Sequence, residues 1–175
     1  LRSAREGGGV DRAIRPNMVI AAALRAAPLD RARRQRVVDL CRTHLLTPYG
    51  LRTLAPSDPD YQGRYEGTMP QRDRAYHQGT VWPWLLGFMV EAHLRSSEHD
   101  PASRTTARTW LQPLAAELNS AGLGQLSEVY DGDLPHRPNG CPAQAWSVSE
   151  WRRAAAMVER GPKWWVSPQA AATLS

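Results

Sequence analysis

The chain has 175 residues, 42% of them apolar or aromatic, and a formal net charge of +5. That length suits one domain with a sizeable core, and the composition excludes a disordered or low-complexity polymer. The charge comes from dispersed arginines, Lys163 being the one lysine, so the clustered basic face of a nucleic-acid binder is not expected.

The opening "LRSAREGGGV" lacks the apolar run of a signal peptide, and a start at Leu1 reads as a piece of a longer protein. Glycines 7 to 9 are followed by no Lys-Ser/Thr, so they read as a flexible turn and not as a phosphate loop. Residues 16–26, "PNMVIAAALRA", are apolar nearly all round and predict a helix packed between neighbours. A second helix is predicted over 29–46, with Leu29, Val37, Leu40, Cys41 and Leu45 close to one stripe. Residues 47–78 are rich in Pro, Gly and Asp and are expected to hold no helix; long irregular segments in compact domains usually carry function.

A third helix is predicted over 80–97, capped by Thr80 with Pro83 in its first turn. A fourth, 101–121, ends at Gly122 with Leu111, Leu114, Ala115 and Leu118 inward, and a fifth, 143–159, stops at Gly161-Pro162. Residues 161–175 are expected to form a weakly ordered tail. No stretch alternates apolar and polar residues for long enough to predict strands. The expected class is all-α, with helix pairs joined alternately by short turns and long loops, an organisation shared by α/α barrels and helix bundles. No apolar run reaches the ~20 residues of a membrane span. Cys41 and Cys141 have no Cys-x-x-Cys partner, which argues against zinc and suits a reducing, cytoplasmic setting; a disulfide between them stays open. No metal or other cofactor is expected.

The chemistry gathers in four stretches, residues 11–17, 49–54, 73–84 and 124–146, which mix aromatic planes with Arg, Asn, Gln and carboxylates. Sugars are bound by that mixture, because aromatic faces stack on their C–H surfaces while polar side chains hydrogen-bond their hydroxyls. Trp82, Trp84 and Trp146 are either such planes or ordinary core residues, and Trp110 reads as core. His77 is equally a core histidine or a ligand contact. In "SEVYDGD", Glu128, Asp131 and Asp133 crowd three like charges together, which costs stability unless it positions something; His136 or Arg137 is expected to offset the repulsion.

Four segments in fixed order, "LLTPYGLRTL", "YHQGTVWPWLLG", "SEVYDGD" and "GCPAQAWSVSE", closely resemble the amylo-α-1,6-glucosidase domain at the C-terminal end of glycogen debranching enzymes. The resemblance runs from about Asp11 to Ala155 and implies the last helices of an (α/α)6 toroid, with residues 1–160 as the C-terminal part of a catalytic domain. It also implies hydrolysis of the α-1,6-linked branch glucose of glycogen with inversion at the anomeric carbon. Glu128 matches the general base. One of Asp131 and Asp133 is expected to orient a tryptophan or an arginine or to cap the turn, and neither to be catalytic. Substrate contacts are expected from Arg15, Asn17, His77, Gln78, Trp82, Asp131, His136, Arg137, Gln144 and Trp146. The family usually reads Arg-Pro-Asn-Gln where this chain has Met18 after Asn17, which removes one polar contact. The general acid is expected upstream of Leu1, in the missing part of the same domain. Two alternatives stand beside this reading. One is a related inverting toroid hydrolase acting on another glucoside, such as a trehalose-like or mannosylglycerate-like one, and the other is a glycan-binding piece without catalysis.

Overall fold

The computed structural model describes residues 10–119 and 123–161; the Gly-Gly-Gly turn, Gly122 and the expected tail from 162 onward lie outside the described residues. The described chain is mostly helical, with six helices and a small antiparallel sheet. In chain order these are α1 (Asn17–Ala23), α2 (Arg31–His44), β1 (Leu46–Thr47), β2 (Gly50–Arg52), α3 (Met69–Tyr76), β3 (Val81–Trp82), α4 (Leu85–Ser96), α5 (Pro101–Asn119), β4 (Val129–Tyr130), β5 (Pro138–Asn139) and α6 (Ala145–Arg160).

Helix α4 is the centre of the core. It is buried along nearly its whole circumference, from Leu85 and Leu86 to Met89, Val90, Ala92 and Leu94, and α1, α2, α5 and α6 pack around it. Such all-round apolarity is what a helix enclosed by neighbours requires. Helix α1 stops three residues short of the expected Ala26, because the Arg34 guanidinium of α2 takes the carbonyls of Ala22 and Leu24, which leaves Leu24 extended. Helix α2 starts at an Asp30 cap, whose carboxylate accepts the Arg33 N–H at 2.7 Å.

The inward face of α2 differs from the expected stripe. Cys41 and Leu45 are buried as expected, together with Val38 and Arg34, whereas Leu40 is exposed. Leu29, Val37 and Leu40 instead line an open groove of about 450 Å³ shared with Ile14 and Met18. Burial pushes the Cys41 thiol up to about 12 and keeps it protonated. Both cysteines are free, Cys41 buried and Cys141 exposed.

Two expectations are corrected. Residues 47–78 contain α3, which has too few apolar residues to show a stripe. Its start was legible in Thr68-x-x-Gln71, where Gln71 Oε1 accepts the Thr68 N–H at 2.7 Å, and in Pro70 in the first turn. Thr80 does not cap the third predicted helix: its hydroxyl bonds the Ala75 carbonyl at 2.8 Å, residues 81–82 form a strand, and the helix begins at Leu85.

The strands are only two or three residues long, too short for alternation to register in sequence. They form one sheet in the order β1-β2-β3-β4-β5 with every neighbour antiparallel. Leu51 pairs with Trp82, Val81 with Tyr130, and Val129 with Asn139. Gly50 has φ +144, and a Cβ there would strike the Trp82 carbonyl and come within 2.9 Å of Pro83 Cα, so only glycine lets β2 approach β3 this closely. The sheet gathers the three connections α2–α3, α3–α4 and α5–α6 at one place. No helix of the described residues is long and apolar enough to cross a membrane.

Candidate active site

The α5–α6 connection carries the crowded carboxylates, and each has a partner in the segment between residues 61 and 76. Asp131, 2% exposed, accepts the Tyr65 N–H at 2.9 Å and the Asn139 side-chain amide at 3.0 Å, with Arg64 at 3.6 Å. Asp133 accepts the Tyr61 hydroxyl at 3.0 Å and lies 3.9 Å from Arg64. Burial and that bond to Asp133 push the Tyr61 phenol up to about 12. The expected neutralisation by His136 or Arg137 is therefore replaced by Arg64. The His136 ring is buried edge-on to Tyr49, with Nδ1 2.8 Å from the Asp131 carbonyl oxygen, and Arg137 is exposed, its main-chain oxygen accepting the Asp131 N–H at 3.0 Å. Asp131 Oδ1 and His136 Nδ1 are thus bonded within the loop and its neighbours.

Glu128 is placed differently. It is half-buried immediately before β4, its main-chain N–H bonded to the Cys141 carbonyl at 2.8 Å. Oε1 accepts the Tyr76 hydroxyl at 2.6 Å and Oε2 accepts the Cys141 N–H at 3.0 Å. Gly140 is what admits this contact, since a Cβ there would stand 2.6 Å from Oε2. A carboxylate with one donor on each oxygen keeps about two lone-pair sites for an incoming proton or water.

Aromatic rings extend from Tyr76. Trp82 lies edge-on to it at 4.5 Å, and Trp146 is edge-on to Trp82 at 5.7 Å and stacked on Trp84 at 5.6 Å. Trp82 is buried and Trp84 half-buried, the ordinary place for tryptophan, while Trp146 is 45% exposed and offers a face to solvent. The exposed His77 ring lies parallel to Trp82 at 6.1 Å. Trp110 is half-buried, its ring 4.8 Å from that of His93. A cavity of about 760 Å³ is bounded by Tyr65, Glu66, Arg72, Asp73, Asn139 and Gly140; Glu128 touches its Gly140 edge and does not line it.

Arg15 ties the first loop to the turn after α3, donating to the His77 carbonyl at 2.7 Å, to Gln78 Oε1 at 2.7 Å and to the Thr53 carbonyl at 3.2 Å. Arg15 and Gln78 therefore meet each other. Asn17 is exposed at the first position of α1, and Gln144 precedes α6 with its N–H on the Leu126 carbonyl at 2.9 Å. The fold brings Glu128, Tyr76, Trp82, His77 and Trp146 into one cluster. Sequence reasoning missed Tyr76, although it stands inside "YHQGTVWPWLLG", and missed the Cys141 amide, for which a sequence carries no signal. No group of three or more His, Cys, Asp or Glu among the described residues is arranged to hold a metal ion.

A family described as amylo-alpha-1,6-glucosidase matches residues 3–153. The chain is also 29% identical over 159 residues to the glycogen debranching enzyme of Saccharomyces cerevisiae, an alignment that covers 78% of this chain and 10% of that protein. The chain thus spans about a tenth of the length of the curated relative it matches.

Proposed function

This chain belongs to the amylo-alpha-1,6-glucosidase family, and on that premise we propose that it is the C-terminal part of an (α/α)6 catalytic domain that removes α-1,6-linked branch glucose from glycogen or limit dextrin. Glu128 is the general base of an inverting reaction. It takes a proton from a water molecule as the water oxygen attacks the anomeric carbon, while a second carboxyl, from another part of a longer polypeptide, protonates the departing O6. The two carboxyl groups of such a pair stand about 6.5–9.5 Å apart, which leaves room for that water. Glucose is released in the β configuration. The exposed face of Trp146 supplies a stacking plane for the sugar. A cytoplasmic location follows from the substrate.

One observation carries this reading: Glu128 is held at both oxygens, in contact with the aromatic cluster through Tyr76, whereas the Asp131 carboxylate is buried among internal bonds. The test is Glu128→Gln in the complete protein, with glucose release from limit dextrin as the readout and trehalose as the comparison substrate. The expected result is a loss of at least about 100-fold in turnover with oligosaccharide binding retained. Turnover near that of the wild type removes Glu128 from the mechanism.

A further inference from the structure

We propose that Tyr76 is the positioning residue for Glu128, fixing the orientation of its carboxylate and which of its lone pairs is left to meet the water. This rests on reading Glu128 as the general base. The Oη to Oε1 distance of 2.6 Å lies in the short range of hydrogen bonds from a hydroxyl to an ionised acceptor. The second donor, the Cys141 N–H at 3.0 Å, is main chain, so the phenol is the only side chain among the described residues with a hydrogen bond to this carboxylate.

Tyr76 is itself fixed. Trp82 Nε1–H donates to its carbonyl at 3.1 Å, the Tyr76 and Trp82 rings meet edge-on at 4.5 Å, and Tyr65 lies against it at 5.6 Å. It ends α3, whose first turn is bound by Gln71. Burial, and then the bond to Glu128, push the Tyr76 phenol above its ordinary value, so the hydroxyl stays protonated and remains a donor at neutral pH. The other titratable groups near the pair are Tyr65 and His77 against the Tyr76 ring, Cys141 behind Oε2, and Glu66, Arg72 and Asp73 around the adjoining cavity. Those last three are exposed and of mixed sign, so solvent screens them while the phenol is in direct contact.

The experiment uses the full-length protein with Tyr76→Phe, and Glu128→Gln made in parallel. Tyr76→Phe keeps the ring and removes one donor to a charged acceptor. It is expected to lower kcat for glucose release about 10- to 100-fold, with KM within about twofold. Tyr76→3-fluorotyrosine keeps the ring and the donor, and is expected to hold kcat within about threefold of the wild type. An inactive Glu128→Gln together with a Tyr76→Phe whose kcat matches that of the wild type overturns the role of Tyr76 and leaves the base in place. An active Glu128→Gln overturns the base itself, and this inference with it.

Discussion

Glu91 lies on α4, the most enclosed helix, only 9% exposed, and its carboxylate joins α4 to α6. Oε1 accepts Arg95 Nη2 at 2.6 Å and Nε at 3.1 Å, and Oε2 accepts Arg153 Nη1 at 2.5 Å. Glu91→Ala removes these three charge-assisted bonds at once and leaves two guanidinium groups in partly desolvated surroundings. Breaking a buried pair from one side costs about 3–5 kcal/mol. The lower edge, about 3 kcal/mol, is expected here, because Arg153 keeps Glu150 at 2.8 Å and lies over the Phe88 ring at 5.1 Å. Glu98→Ala is the internal control: it breaks a pair with Arg31 whose side chains are 74% and 62% exposed, and a pair of that kind contributes at most about 1 kcal/mol. Urea unfolding followed by tryptophan fluorescence, compared at a common m-value, reads both variants. A loss for Glu91→Ala no larger than for Glu98→Ala refutes the idea that this network holds α6 on the core.

Gly87 faces α6, and a Cβ there would collide with the Glu150 carboxylate and stand 3.1 Å from both its Cβ and its main-chain oxygen. Gly87→Ala is therefore expected to destabilise by about 1–2 kcal/mol, because overpacking outweighs the better helix propensity of alanine; thermal unfolding showing a gain would reverse the sign. Burial pushes the His93 imidazole below its ordinary value and Arg42 acts in the same direction, with Ser103, Asp100 and Asp39 opposing. The unfolded chain therefore takes up a proton first as pH falls below about 6.5, so this contribution to stability is complete above that pH and is lost on acidification. His93→Phe is expected to flatten that part of the stability–pH curve, and an unchanged slope between about pH 7 and 5 would count against it.

The helices most legible in sequence are those with a strong apolar stripe and clear ends, above all α4, α5 and α6. Less legible was α3, because a short and mostly exposed helix leaves only its capping residues as a signal. Leu40 is exposed and Val38, absent from the expected stripe, is buried, since which face of α2 turns inward depends on where α1 and α4 lie, and local periodicity does not hold that information. For the same reason Asp131, Asp133 and Glu128 look alike in sequence. What separates them is Arg64, Tyr61, Tyr65 and Tyr76, more than fifty residues earlier in the chain, delivered to the acidic turn by the pairing of β3 with β4.

The five-stranded sheet also sets an order of events. Its first strand begins at residue 46 and its last ends at residue 139, yet each strand offers its neighbour only one or two paired positions. The β2–β3 and β3–β4 pairings join segments far apart along the polymer and are the slow ones to close. On the ribosome, α1, α2 and α4 can dock while Val81 still waits for Tyr130 to emerge. The sheet therefore closes only once Tyr130 and Asn139 have been made, and α6 follows it onto α4, so the surroundings of Glu128 are among the last features to mature.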